Sequence, residues 1–417
     1  MLNANDIEIM APVGSYAALQ AAIQGGADSI YFGVENLNMR SASSKNFTTS
    51  DLHKIVAIAE KNDIKAYLTL NTVMYDEDMD LMHEIVDAAK DAAIDAIIAS
   101  DLAVMQYASK LGVDIHLSTQ ANISNITAVK FYSQFADVVV LARELDLMQI
   151  ENITTTIEKE NICGPSGNKI SIELFAHGAL CMAISGKCYL SLHQHNRSAN
   201  RGACLQVCRR SYIVTDKENE KELEIDNENI MSPKDLCTIH FINKILDAGV
   251  SVLKLEGRAR SPEYVKTVTE CYREAVEAYF EGTYTQEKID EWKDRLSKVF
   301  NRGFWDGYYL GQKLGEWTHK YGSQAKEKKV YIGPVTNYYD KIEVGEFKSE
   351  AAGLHKTDRL LIIGPTTGVI ELQAREARVE DKEVEEIPQG VEFTIPVQER
   401  LRRSDKLYKI IKRNSNS

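Results

Sequence analysis

The feature that most constrains the fold is an alternation of short β-branched runs with runs of helical period, which continues to about residue 320. Eight of the runs are predicted strands, at residues 7–10, 29–33, 65–71, 96–100, 114–120, 137–141, 169–175 and 252–256. Amphipathic sequence such as DMDLMHEIVDAAKDA separates them. Because strands that alternate with helices form βαβ units, the pattern predicts an α/β fold, a closed (β/α)8 TIM-like barrel over residues 1–325.

The first βα unit carries local signals that agree with this prediction. Ser15 follows the strand at 7–10 and is a suitable N-cap for a helix at 16–24, which two glycines then end. A doubly wound open sheet is the alternative arrangement of such units. No G-x-G-x-x-G follows the first strand, which disfavours that alternative.

The sequence pattern changes at about Lys326, from where short β segments broken by turns replace the helical runs. Examples are KKVYIGPVTNYYD, DRLLIIGP, GVEFTIPV and DKLYKII. They predict a small antiparallel β-barrel domain over residues 326–417. Such domains are appended to many nucleic-acid enzymes and also serve as structural lids, so RNA binding is one of two interpretations.

Composition and charge limit the classes of protein and the cellular locations that suit this chain. Of its 417 residues 44% are hydrophobic, and the formal net charge of −12 argues against a protein that coats nucleic acid through a general positive field. The sequence shows neither a signal peptide nor a membrane span, so the cytoplasm is the expected location. Thiols stay reduced there, and the odd number of seven cysteines therefore indicates a metal or catalytic site and not disulfides.

The connection after the seventh predicted strand is too long for a simple βα loop and forms an insertion at residues 176–251. It includes a charged, hairpin-like segment, KENEKELEIDNE, and five cysteines. These cysteines are Cys181, Cys188, Cys204, Cys208 and Cys237. Thiolates bind zinc or iron–sulfur clusters. Only the pair at 204 and 208 has the close spacing of a zinc knuckle, so the pattern favours a bulkier cluster.

The C-terminal ends of the predicted strands carry many polar side chains, and this is the face where barrel enzymes place their active sites. The candidates for substrate binding are Arg40, Asn71, Gln120, Arg143, Lys254 and Arg258. The candidates for proton transfer are Glu173, His177 and Glu256. Polar loops are common in any barrel, but converging cations as a set indicate an anionic substrate.

The sequence gives little support for a hydrolase. It has no G-x-S-x-G elbow, and the His-Glu pair at 83–84 lacks the second histidine of zinc peptidases. A nucleophile pair of Cys181 and His177 stays open, because their i, i+4 spacing would bring them together on a helix.

The cysteine-bearing stretch resembles a known family. ELFAHGALCMAISGKCYLS, followed by NRGACLQVCRRSY, is similar to the signature of the collagenase-like peptidase family, the U-thirty-two group. Further matches are APVGS, NMRSASSKNF, QANISN, SPKDLC and KLEGR, so the resemblance spans most of residues 7–273. The length and the β-rich tail most resemble its branch of prephenate-dependent tRNA uridine hydroxylases.

That resemblance implies hydroxylation of C5 of the wobble uridine in tRNA, with prephenate, a dicarboxylate, as oxygen donor or co-substrate. It also implies a 4Fe-4S cluster. The family's ligand positions match Cys181, Cys188, Cys204 and Cys237, with Cys208 as an alternative to Cys204. A partner protein or a homo-oligomer is a further expectation, because some relatives require a second chain.

Four arginines beside the cysteines are candidates to hold the RNA backbone of the anticodon loop, and surface ion pairs are their alternative role. They are Arg197, Arg201, Arg209 and Arg210. Two other functions remain as alternatives, a collagenase-like peptidase and a non-catalytic RNA-binding protein.

Overall fold

The computed structural model describes residues 3–41, 46–213, 231–313 and 315–413. The hairpin-like segment predicted at 217–228 lies outside the described residues. Within them, eight parallel strands form a closed ring, because the first strand pairs with the second and the last, and the last pairs with the seventh. The predicted (β/α)8 barrel is confirmed.

The barrel strands lie close to their predicted positions. They are β1 (Glu8–Pro12), β2 (Ser29–Gly33), β3 (Lys65–Leu70), β4 (Ala96–Ala99), β5 (Ile115–Leu117), β6 (Val138–Val140), β7 (Ser171–Ala179) and β9 (Val252–Leu255). The largest difference is at β7, which continues four residues past the predicted end at 175. A short strand of the insertion, β8 (Asp235–Cys237), returns antiparallel to this extension, and β10 (Phe304–Trp305) pairs with β8.

Helices surround the barrel, and the described residues include none that is long and apolar enough to cross a membrane. The helices are α1 (Tyr16–Gln24), α2 (Leu52–Lys61), α3 (Met79–Asp91), α4 (Leu102–Leu111), α5 (Ile126–Tyr132), α6 (Leu147–Glu160), α7 (Leu190–His195), α8 (Ile242–Asp247), α9 (Pro262–Phe280) and α10 (Gln286–Lys298). The first has its predicted bounds, and the Ser15 hydroxyl caps it by accepting a hydrogen bond of 3.2 Å from the backbone N–H of Ala18.

The core has two layers, as the topology of a barrel requires. The larger layer lies between strands and helices, and includes Leu19, Ile55 and Ile85 from the buried faces of α1, α2 and α3. The second, smaller cluster includes Met10, Tyr31, Tyr67, Ile98 and Val252, whose side chains come from the barrel strands. Polar groups share this interior, and they lead to the site described below.

The C-terminal region consists of an eight-stranded and a two-stranded antiparallel sheet, which share a hydrophobic core of their own. Its strands are β11 (Glu327–Tyr339), β12 (Val344–Lys348), β13 (Leu354–His355), β14 (Arg359–Gly364), β15 (Gly368–Gln373), β16 (Arg378–Val379), β17 (Lys382–Glu383), β18 (Glu386–Ile387), β19 (Glu392–Pro396) and β20 (Lys406–Lys412). The eight-stranded sheet packs against α1 and α9, where the Gln24 side chain accepts from the Val369 N–H at 2.8 Å and donates to the Thr367 carbonyl at 3.0 Å. The domain division at 325/326 and an RNA-binding role for this region stay predictions.

Candidate active site

A cavity of about 180 Å3 opens at the C-terminal ends of the barrel strands, under the insertion. Side chains from almost every strand end line it, as the barrel topology predicts. All six predicted substrate-binding residues line this cavity. They are Arg40, Asn71, Gln120, Arg143, Lys254 and Arg258.

The wall of the cavity is strongly cationic. Its basic residues are Arg40, Arg143, Arg209, Lys254, Arg258 and Arg260, and Glu256 is the only acidic residue among the described residues that line it. Six cations facing one carboxylate give the cavity an excess of positively charged side chains, a composition that suits an anion.

Glu256 is the centre of this charge cluster. Its carboxylate accepts from the Arg40 guanidinium at 2.6 Å and from the Tyr31 hydroxyl at 3.0 Å. Burial alone would raise the pKa of Glu256, but the attraction of Arg40, Arg143 and Arg258 outweighs burial and lowers the pKa to about 2. Glu256 is therefore ionised at neutral pH.

Lys254 connects the cavity to the interior of the barrel. Its ammonium group donates to the Glu173 carboxylate at 2.6 Å and lies 4.6 Å from the centre of the Tyr31 ring. Glu173 is fully buried and does not itself line the cavity. Burial raises the pKa of Glu173 against the opposing attraction of Lys254. The predicted catalytic Glu173 is thus placed one contact behind the cavity wall.

The other cations are held by specific contacts. Arg258 is buried, donates to the Thr69 hydroxyl at 2.9 Å, and has its pKa lowered to about 10 by burial. The Arg143 guanidinium stacks on the Phe175 ring at 3.9 Å, and its buried Nε has no hydrogen-bond partner among the described residues. An unpaired donor of this kind is costly unless a ligand or water satisfies it.

Arg260 is a site residue that the sequence reasoning missed. It lines the cavity, and its guanidinium stacks on the Phe300 ring at 3.5 Å. The sequence could have identified it, because Arg260 lies two residues after the KLEGR motif at the end of the last barrel strand.

Two amides complete the polar wall. Asn71 donates to the Ser118 hydroxyl at 3.3 Å and accepts from the Met39 N–H at 3.2 Å, which fixes its orientation. The Gln120 Oε1 atom is buried and has no partner among the described residues. Like the Arg143 Nε atom, it is available to a ligand.

Four cysteines of the insertion line the same cavity, and the predicted ligand Cys237 does not. The four are Cys181, Cys188, Cys204 and Cys208. Burial and the neighbouring thiols at 181, 204 and 188 together raise the pKa of Cys208 to about 11 against the opposing effect of Arg209, so the four thiols lie near one another. Cys208, predicted only as an alternative to Cys204, therefore lies with Cys204 at the cavity, and this placement favours Cys208 over Cys237 as the fourth member of a ligand set.

Cys237 lies instead in the hydrophobic core, 2% exposed, on β8 opposite His177 of β7. Burial raises its pKa to about 11. His177, predicted as a proton-transfer group, is equally remote from the cavity: its ring is surrounded by Tyr264, Tyr272 and Phe304, and burial lowers its pKa to about 3. The extension of β7 causes this outcome, because residues 176–179 continue the strand and do not form the helix that would pair Cys181 with His177.

The four predicted RNA-binding arginines divide into two pairs. Arg197 and Arg210 are exposed. Arg201 forms an ion pair with Asp78 and stacks on a tyrosine ring, and Arg209 donates to the carbonyls of Leu180 and Pro233 at 2.5 Å each. Arg201 therefore holds the insertion to the barrel through an ion pair, which is the alternative role considered, whereas Arg209 holds the insertion together through backbone carbonyls.

The donor set of the cavity fits an iron–sulfur cluster in its chemistry. Four thiols from one segment share a wall with several cations, and cations compensate the negative charge of thiolate ligands. Within the described parts of the chain, no group of three or more His, Cys, Asp or Glu side chains already has the geometry of a metal site. The residue types that line the cavity therefore suit an iron–sulfur cluster, whereas the positions of the sulfur atoms do not form a cluster site.

Comparisons with known proteins identify the family of the chain. The model of the family described as Peptidase family U32 matches residues 14–319. A collagenase of Porphyromonas gingivalis is 60% identical over 99% of this chain and 100% of that protein. A tRNA hydroxylation protein of Bacillus subtilis is 35% identical over 79% of this chain and 77% of that protein. A 23S rRNA 5-hydroxycytidine synthase of Escherichia coli is 30% identical over 76% of this chain and 47% of that protein. The chain therefore belongs to peptidase family U32.

Proposed function

We propose that this protein is a cytoplasmic tRNA-modifying enzyme that hydroxylates C5 of the wobble uridine in the anticodon loop. Prephenate would be the oxygen donor or co-substrate, and a 4Fe-4S cluster the cofactor. The observation that carries the proposal is the meeting of four cysteines and six cationic side chains in one cavity at the catalytic face of a barrel. Relatives named for tRNA and rRNA hydroxylation support it.

Different residues of the cavity would bind different groups of the substrate. Arg40, Arg143 and Arg258 are suited to the two carboxylates of prephenate, since guanidinium groups bind carboxylates in bidentate geometry. The unpaired Nε of Arg143 and Oε1 of Gln120 would gain partners from a bound ligand. Both atoms are buried, so binding would also remove an energetic cost of the empty site.

We assign proton transfer to Glu256 and Lys254, which both line the cavity. Glu256 is ionised at neutral pH and can accept a proton, and the Lys254 ammonium group can donate one. Glu173 orients Lys254 from behind and is a positioning residue in this scheme. His177 has no role in it, because the aromatic core encloses its ring.

Cys181, Cys188, Cys204 and Cys208 would hold the cluster. When bound, a 4Fe-4S cluster supplies a centre for electron transfer or Lewis-acid chemistry. The comparison of Cys208→Ser with Cys237→Ser tests the assignment. We expect anaerobically purified Cys208→Ser to lose most of its iron and sulfide and the brown absorption, and Cys237→Ser to retain them.

The opposite result, iron lost in Cys237→Ser and kept in Cys208→Ser, would reverse the choice of ligand. Stoichiometric zinc in a colourless wild-type protein would overturn the cluster itself. Cys271→Ser is a matched control for loss of a buried thiol, because Cys271 lies in the core on α9 and away from the cavity.

Deletion of the gene tests the proposed function directly. We expect 5-hydroxyuridine and its derivatives to disappear from the digested tRNA of the deletion strain and to return with the wild-type gene. Unchanged nucleosides would rule out the hydroxylase. If purified protein binds tRNA but the nucleosides do not change, the non-catalytic RNA-binding function is the correct one.

A peptidase is the second candidate, because the relative with 60% identity is named a collagenase. The cavity gives it little support: no histidine is among the described residues that line it, so Cys181 has no adjacent imidazole base. Cleavage of gelatin that is lost in Cys181→Ala would establish this activity. We expect no cleavage by wild-type protein.

A further inference from the structure

Residues 180–213, which we call the cysteine segment, differ in charge from the rest of the chain. They contain five Lys/Arg and no Asp/Glu, although acidic residues outnumber basic ones by 61 to 49 in the whole chain. Two of the five, Arg201 and Arg209, make the structural contacts described above. The other three, Lys187, Arg197 and Arg210, are exposed. A segment with cations and no carboxylate of its own complements a polyanion.

The cysteine segment also exposes many large apolar side chains. Of fourteen such side chains among the residues that the structure describes, six lie in this segment. They are Met182, Ile184, Tyr189, Leu192, Leu205 and Ile213. Exposed apolar side chains at this density mark an interaction surface. Aromatic and apolar groups interspersed with cations are the combination with which proteins bind single-stranded nucleic acid.

The segment has two sides, because inward and outward residues adjoin each other in the chain. Three of the cysteines that line the cavity, at 181, 188 and 204, are each followed directly by an exposed residue, Met182, Tyr189 and Leu205. Cys208 is followed by Arg209 and then by the exposed Arg210. The outward side therefore borders the cavity within one or two residues.

We propose that the outward side of the cysteine segment is the docking surface for a single-stranded RNA loop. Tyr189, with 75% of its surface exposed, is the platform on which a base stacks. Lys187, Arg197 and Arg210 contact the phosphates on either side. The inference rests on the proposed function and describes how its substrate is held: a nucleotide next to the stacked base enters the cavity, which requires an unpaired loop and not a duplex.

An anionic membrane is the other partner that cations and apolar groups could meet. The position of the surface favours RNA. A phospholipid head group would bring a phosphate to the cationic cavity but no base, whereas a splayed nucleotide brings both a base and a phosphate into it. An RNA loop thus accounts for the surface and for its position beside the cavity.

Binding of an anticodon stem-loop RNA tests the proposal. We expect Tyr189→Ala to weaken binding roughly tenfold and Tyr189→Phe, which keeps the ring, to bind like the wild type. The double variant with Arg197→Ala and Arg210→Ala should weaken binding and make it less dependent on salt. Phe131→Ala and Lys61→Ala are controls that should change nothing. Phe131 is 55% exposed near the end of α5, and Lys61 ends α2, so both lie toward the opposite face of the barrel.

Several outcomes would overturn the docking surface: equal binding of the stem-loop by wild type and Tyr189→Ala, equal affinity for a blunt RNA duplex, or binding of phosphatidylserine vesicles in preference to RNA. The stem-loop binding assay and the nucleoside content of the deletion strain separate this inference from the proposed function. If wild-type protein binds the loop through Tyr189 and the deletion strain keeps its 5-hydroxyuridine, the docking surface is supported and the hydroxylase function is refuted.

Discussion

The two ends of the barrel have opposite charge. The cavity at the C-terminal ends of the strands has six cations and one carboxylate, whereas the groove at the N-terminal ends has six carboxylates and one lysine. The carboxylates of that groove belong to Asp6, Glu8, Asp28, Glu60, Asp63 and Asp95. The net charge of −12 thus conceals a separation of charge along the barrel axis.

Helix dipoles add to this separation. The helices begin near the cavity and end near the acidic groove, so their positive ends lie on the cationic side and their negative ends on the acidic side. A polyanion is attracted to one end and repelled from the other. The net charge of the chain therefore argues against a protein that coats nucleic acid, but it does not predict whether one local site is cationic.

The largest effect is expected where the cationic end reaches into the barrel, at Lys254. Lys254→Met leaves the buried Glu173 carboxylate without its partner at 2.6 Å, and we expect the free energy of unfolding to fall by about 3 kcal/mol at pH 7. Urea unfolding measures the change. The loss should shrink as the pH falls, because an unpaired buried carboxyl then takes up a proton.

The double variant Glu173→Leu with Lys254→Met is the control. Removing both charges should recover most of the stability, since no unpaired charge remains. Binding of prephenate should stay lost, because the cation at the cavity wall is still absent. Recovery of binding together with stability would show that Lys254 serves the fold alone.

The contributions of Glu256 and Glu173 to the free energy of unfolding should depend on pH in opposite directions. The pKa of Glu256 is lowered from 4.5 to about 2, so its stabilising contribution is complete above pH 4.5 and is lost as the pH falls toward 2. The pKa of Glu173 is raised, so its contribution is present below pH 4.5 and is lost as the pH rises through the raised value.

Urea unfolding of Glu256→Gln and Glu173→Gln between pH 3.5 and 7 tests this contrast. The destabilisation by Glu256→Gln should grow with pH, reach about 3 kcal/mol near pH 5 and then stay constant. The destabilisation by Glu173→Gln should decline as the pH rises. Parallel curves for the two variants would contradict the assigned environments.

The fold could be predicted in large part from the sequence, because the local signals and the topology agree. The period of the apolar residues located all eight strands, and Ser15 and Gly25 delimited α1 correctly. The ends of strands were less predictable. Residues 176–179 read as a loop, but they continue β7 because β8 pairs with them, and such a long-range pairing leaves no local signal.

The site was predictable wherever its residues follow strand ends. Arg143, Lys254 and Glu256 line the cavity for that reason. The positions of Cys237 and His177 depend instead on the pairing of β7 with β8, which turns both into the core. Sequence spacing could not distinguish these from the cysteines of the cavity. The partners of Arg201 and Arg209 are similarly distant in the chain.

The smallest effect is expected at the acidic end, and it tests whether that end takes part in function. Asp63 follows α2 with a left-handed backbone (φ 54°), a conformation that asparagine tolerates well. Asp63→Asn keeps that tolerance and removes a negative charge beside the negative end of the helix, so we expect a gain of about 0.5 kcal/mol in the free energy of unfolding. Asp63→Ala removes the same charge but fits the left-handed backbone less well, so its free energy of unfolding should gain less.

Iron content, prephenate binding and RNA binding should be unchanged in both Asp63 variants, because the groove and the cavity lie at opposite ends of the strands. A loss of iron or of affinity in Asp63→Asn would show that the two ends are coupled through the buried groups between them, of which Glu173 and Lys254 are the closest to the cavity.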